Sequence, residues 1–79
     1  MNSLTKYRWE RYGTTIKGDE KTIFYRSIPA GLRIESRRRR VPRNARPGYW
    51  LHTTYFLISP DGTEKEYYSL RDAKEGAEA

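Results

Sequence analysis

Four consecutive arginines, Arg37 to Arg40, are the side chains in this sequence best equipped for recognition chemistry. They belong to a stretch, Arg26 to Arg46, with eight arginines against one acid, Glu35. That stretch alone is more positive than the whole 79-residue chain, whose net charge is +6. Residues 47–79 hold three bases and six acids, so the charge is segregated along the chain. Clustered guanidinium groups displace counterions from phosphates, and each can bind two oxygens at once. All five lysines lie outside the arginine stretch. This favours paired, planar recognition over simple point charge.

The candidate nucleic-acid-binding residues are therefore Arg33, Arg37, Arg38, Arg39, Arg40, Arg43 and Arg46. Tyr49 and Trp50 join them, because they adjoin the basic segment and could stack on bases. A competing reading is an acidic protein surface, which would also accept such a segment. Arginines paired with Glu64, Glu66 or Glu75 would argue against contact with nucleic acid.

Nothing comparable supports catalysis. His52 is the only histidine and there is no cysteine, so neither a metal centre nor a nucleophilic triad has its parts. Asp61 falls in a turn, and Glu64 and Glu66 lie on one hairpin arm. No glycine-rich phosphate loop is present, and no family motif is recognisable. We expect no cofactor, no metal site and no enzymatic activity.

The elements that must position the arginines are read from alternation and turn chemistry. Tyr7–Tyr12 reads as a first strand ended by Gly13, and Lys17-Gly18-Asp19-Glu20 as a polar turn. Thr22–Ile28 is a second strand, and Pro29-Ala30-Gly31 breaks it. Leu32–Arg37 alternates cleanly, with Leu32, Ile34 and Ser36 opposite Arg33, Glu35 and Arg37. Residues 38–48, with Pro42, Pro47, Gly48 and mutually repelling arginines, read as a mobile basic loop.

Tyr49–Ser59 is apolar or aromatic on both faces and reads as a central strand. Ser59-Pro60-Asp61-Gly62-Thr63 predicts a type I turn with a bulge closing a hairpin. The resulting register sets Tyr55 opposite Tyr67, Leu57 opposite Lys65 and Phe56 opposite Glu66. Glu64–Tyr68 is then a fifth strand. Ser69 is an N-cap for a short helix whose apolar stripe is Leu70, Ala73 and Ala77.

The expected fold class is α+β: a small twisted antiparallel sheet of four to five strands with one C-terminal helix packed on one face. The order is β-β-β-loop-β-β-α in a single domain, with residues 1–5 frayed. Leu51, Tyr55, Leu57 and Tyr67 are the expected helix-side core. Trp50, His52, Phe56 and Tyr68 face the other way, where a homodimer contact is one means of covering them.

The N-terminal residues contain no apolar run and no segment reaches the roughly 20 apolar residues of a membrane span. We expect a cytoplasmic protein with no membrane partner. The expected function is nucleic-acid binding, DNA over RNA and duplex over single strand, through an arginine-rich strand and loop. The alternatives are an adaptor or inhibitor docking on an acidic protein, and a single-stranded RNA or DNA binder using the sheet aromatics.

Overall fold

The computed structural model describes residues 6–42 and 48–78; the side chain of Tyr49 lies outside the description. Five strands form one antiparallel sheet in chain order: β1 (Arg8–Lys17), β2 (Glu20–Ile28), β3 (Arg33–Pro42), β4 (Tyr49–Ile58) and β5 (Glu64–Tyr67). One helix, α1 (Leu70–Glu78), follows. The class is α+β, as the sequence indicates. The sheet is an open meander in which every strand pairs with its neighbour in the chain. Among the described residues no helix is long and apolar enough to cross a membrane.

Turn chemistry sets the register. The β4–β5 loop closes with the Ser59 N–H donating to Thr63 O (2.9 Å) and the Gly62 N–H to Ser59 O (2.9 Å). Gly62 takes φ +90°, the left-handed position a three-residue hairpin loop requires. Tyr55, Phe56 and Leu57 consequently face Tyr67, Glu66 and Lys65. The β2–β3 turn is held by Ser27. Its N–H donates to Leu32 O (3.0 Å), its hydroxyl donates to Pro29 O (2.8 Å), and it accepts from the Leu32 N–H (3.0 Å).

Two expectations about strand ends are corrected. Gly13 does not end β1. A bulge between Arg11 and Gly13 absorbs one residue, and β1 then pairs on to Lys17. The expected basic loop at 38–48 is also revised. Arg38–Pro42 continue β3, each residue opposite one of Tyr49–Thr53 on β4. Arg43, Arg46 and the rest of 43–47 lie outside the described residues. Adjacent arginines in a strand point to opposite faces, so the expected repulsion between sequence neighbours is largely relieved. Pro42 occupies the final paired position of its strand, where a missing N–H is tolerated.

The core is small and one-sided. Ile34 (0 % exposed), Leu57 and Ala73 form its centre, with Trp9, Tyr25, Leu32, Tyr55, Tyr67, Leu70 and Ala77 packed around them. The helix stripe Leu70, Ala73, Ala77 and the sheet residues Tyr55, Leu57 and Tyr67 take their expected places. Leu51 does not; it is exposed, beyond the reach of the helix. The helix begins with the Asp72 N–H donating to Ser69 Oγ (3.0 Å), the expected cap. It ends with the Glu78 carboxylate accepting from the backbone N–H groups of Lys6 (2.6 Å) and Tyr7 (3.2 Å). Glu78 therefore ties the start of the sheet to the end of the helix and does not simply face solvent.

Gly76 packs against the sheet with no room for a side chain. A Cβ built there would overlap the phenol of Tyr67. Gly76→Ala should therefore destabilise the fold by about 1–2 kcal/mol: overpacking costs about 1–3 kcal/mol, and the better helix propensity of Ala returns up to about 1 kcal/mol. In a Tyr67→Leu background the same change should become neutral or stabilising. Urea unfolding of the four proteins of this cycle checks the sign reversal.

Candidate nucleic-acid interface

Helix α1 covers only the proximal part of one face, packing on β3, β4 and β5. The distal part of β3 and β4 extends past it. Beyond Arg38, which lies opposite Lys21 of β2, β3 pairs only with β4. Arg39–Pro42 and Tyr49–His52 thus form a two-stranded ribbon. The Cα radius of gyration is 14.6 Å with a longest extent of 49 Å. A compact chain of this length has a radius of about 12 Å, so the molecule is elongated.

The strand geometry divides the arginine run between two faces. Arg33, Arg37 and Arg39 share the face away from the helix, with Glu35 between the first two and Val41 beyond the last. Arg38 and Arg40 share the helix-side face. The run is therefore not a single patch but a strand with guanidinium groups on both sides.

Their surroundings differ sharply. Arg37 is built into the structure. Its Nη2 lies 2.8 Å from Glu35 Oε1 and 3.3 Å from Glu64 Oε2, and its guanidinium carbon stands 4.0 Å above the Phe56 ring. Partial burial by itself lowers the pKa of Arg37, but hydrogen bonds and attraction from Glu35 and Glu64 more than offset it, and the net shift is upward. This pairing with Glu64 is of the kind that argues against contact between Arg37 and nucleic acid.

The same arrangement explains how the face away from the helix is covered. Arg37 roofs Phe56. Arg26, paired with Glu10 (2.6 Å), stands over Tyr12, whose ring contacts Phe24 at 6.0 Å. Long charged side chains seal apolar surface with their stems and keep their heads wet. Phe56 therefore does not need a second copy of the chain to cover it.

Arg38 and Arg40 grip the β1–β2 turn. Arg38 Nε donates to Asp19 O (3.1 Å), and Arg40 Nε pairs with Asp19 Oδ1 (2.7 Å). These contacts brace the ribbon's base while leaving the Arg40 head about half exposed. Arg33 and Arg39 are exposed and form no ion pair among the described residues. Trp50, opposite Val41 at the ribbon's end, is 58 % exposed. Tyr49 lies beside it in the strand, and Tyr68 is 91 % exposed after β5. His52 is an exposed residue opposite Arg39.

The contrast between Arg37 and Arg39 is testable on stability. Arg37→Ala leaves the shielded Glu35 carboxylate without its cation and uncovers Phe56, and should cost about 1–3 kcal/mol. Arg39→Ala should stay within about 0.5 kcal/mol of the parent. Equal losses in urea unfolding would show that the two environments do not differ as described.

The sequence order exposed the arginines but not their partners. Asp19 and Glu64 lie 21 and 27 positions from Arg40 and Arg37, and only the strand pairing brings them together. Comparison with protein-family models, curated proteins and solved structures gives no match, so the fold and the interface are described from this chain's own geometry.

Proposed function

We propose that the protein is a cytoplasmic nucleic-acid-binding module that engages double-stranded DNA with its β3–β4 ribbon. The observation that carries this reading is the placement of Arg40 on one face of the ribbon and Arg39 on the other, with Arg38 at its base on the Arg40 side. A two-stranded ribbon fits the major groove, which is about 12 Å wide. Arginines on its two faces would then lie toward the phosphates of the two groove walls. The acidic residues support the same polarity. Glu64, Glu66, Glu75 and Glu78 belong to β5 and α1, away from the ribbon.

The roofed aromatics favour duplex over single strand. Phe56 lies under Arg37, and the Tyr12–Phe24 pair under Arg26, so the sheet face does not offer a row of bare rings for stacking. In this reading Arg39 and Arg40 contact phosphate, Arg38 positions the ribbon against the β1–β2 turn, and Trp50 packs at the groove edge. No catalytic step and no cofactor is invoked.

Fluorescence anisotropy with a duplex and with each of its separated strands tests this. The duplex should bind more tightly, and Arg39→Ala should weaken it about tenfold at low salt. Stronger single-strand binding abolished by Trp50→Ala would replace the duplex reading with a stacking one. Retention of neither nucleic acid at low salt, with capture by an acidic protein, would remove both.

A further inference from the structure

The uncovered distal part of the helix-side face carries a second constellation. Lys21, Arg38 and Thr53 stand in one cross-strand row, and Ile23, Ser36 and Tyr55 in the next. Same-face residues on a strand are about 7 Å apart and neighbouring strands about 4.8 Å apart. The two rows thus converge on one spot, and all six residues line a single notch of ≈ 210 Å³.

Its chemistry is uniform. Two side chains are cationic, three carry hydroxyls, and no carboxylate lines it. Lys21 and Arg38 face one another directly across the β2–β3 pair, and like charges so placed repel. Among the described residues neither forms an ion pair; Arg38 commits only its Nε, to a backbone carbonyl, and keeps both terminal nitrogens for another acceptor. Ser36 is 6 % exposed, yet its hydroxyl makes no hydrogen bond to the described chain and is not sealed from solvent. The hydroxyls of Thr53 and Tyr55 are also uncommitted to the described chain. A half-buried, acid-free cavity with two facing cations and three unused hydroxyls lacks a polar, negatively charged occupant of its own.

We propose that this notch is a phosphate-binding site, with Lys21 and the Arg38 terminal nitrogens facing the anion's charge and Ser36, Thr53 and Tyr55 donating to its oxygens. A phosphate monoester carries close to two negative charges at neutral pH, where a backbone diester carries one. Two cations with no carboxylate in the lining match the monoester. Such a group is found at the phosphorylated end of a nucleic-acid strand or on a small phosphorylated molecule. The site stands on its own lining and does not require the duplex reading, although Arg38 borders both.

Two measurements on the full chain decide it. Inorganic phosphate is titrated at constant ionic strength against chloride, following backbone amides by NMR. The amides of Lys21, Ser36, Arg38 and Thr53 should shift with phosphate and not with chloride. Lys21→Gln should weaken the response about tenfold, whereas Lys74→Gln, an equal loss of charge on the helix, should leave it unchanged.

In the second arm, oligonucleotides identical except for a 5′-phosphate or a 5′-hydroxyl are compared. A preference for the phosphorylated end, lost in Lys21→Gln, identifies a strand terminus as the source. A phosphate response without end preference identifies a free phosphorylated molecule. If phosphate shifts none of these amides and the two oligonucleotides bind alike, the inference is overturned. Failure of duplex binding leaves the phosphate arm to decide alone.

Discussion

Ile34→Ala should remove a large share of the stability of this protein. Ile34 is fully buried on β3, opposite Leu57 of β4, and shares the buried cluster with Leu57 and with Ala73 of α1. Large-to-small changes at such sites cost about 2–5 kcal/mol. A chain of this length is expected to have only about 4–12 kcal/mol in total, from the usual stability per residue.

The site also has little scope to relax. Its neighbours are ladder residues pinned by pairing on both sides, and the helix is fixed by the close fit of Gly76 against Tyr67. Chemical denaturation should show the midpoint falling by roughly 40 %, with near-ultraviolet aromatic signal lost early. Ile58→Ala serves as comparison. It is also buried, but on the face roofed by charged side chains, outside the central cluster. A smaller loss is expected there. If Ile34→Ala is tolerated as well as Ile58→Ala, the core does not lie where it is described.

Replacing Arg38, Arg39 and Arg40 together by glutamine should lower duplex affinity about a hundredfold at low salt, because each lost phosphate contact is worth about a factor of ten under those conditions. The fold should survive. The backbone pairs of these residues remain, and glutamine retains the length to reach Asp19 O. What is lost is the Arg40–Asp19 pair at the surface, where exposed ion pairs contribute about 0–1 kcal/mol. Arg37→Gln should behave in the opposite way, costing stability and leaving the affinity per folded molecule nearly unchanged. The separation of these two effects within four adjacent residues is the signature of a strand whose successive side chains serve different faces.

Much of this was legible in the sequence. The Ser59–Thr63 turn gave its hairpin register to the residue, because Pro60, Asp61 and Gly62 each fit one backbone position. The Asp61 carboxyl also accepts from the Thr63 N–H (3.0 Å), and hydrogen bonding from Thr63 holds its pKa below the ordinary value. Ser69 and the Leu70, Ala73, Ala77 stripe marked the helix for equally local reasons. Leu32–Arg37 alternated, and Ile34 and Ser36 are indeed buried on one side.

The failures have a common cause. Gly13 and the arginine run were judged by local propensity and neighbour repulsion, whereas both are settled by partners distant in sequence. The Gly13 position is a bulge because β2 continues to pair beyond it. Arg38–Val41 stay extended because β4 supplies a ladder and Asp19 supplies a carboxylate. Alternation placed Arg37 on the charged outer face of its strand, beside Arg33 and Glu35. Its pairing depends on Glu64 arriving beside it through the β4–β5 hairpin. Leu51 was expected in the core by alternation alone, and the shortness of a nine-residue helix leaves it outside.

Duplex binding by this ribbon would run through phosphate contacts. It is tested most directly by measuring duplex affinity over a salt series for the parent and for the Arg38/Arg39/Arg40 glutamine variant. Phosphate contact by the ribbon predicts a linear fall of log affinity with log salt, and a slope reduced by about 2 in the variant, close to 0.9 for each of the two contacts removed. Parallel slopes for the two proteins, or an affinity indifferent to salt, would contradict it.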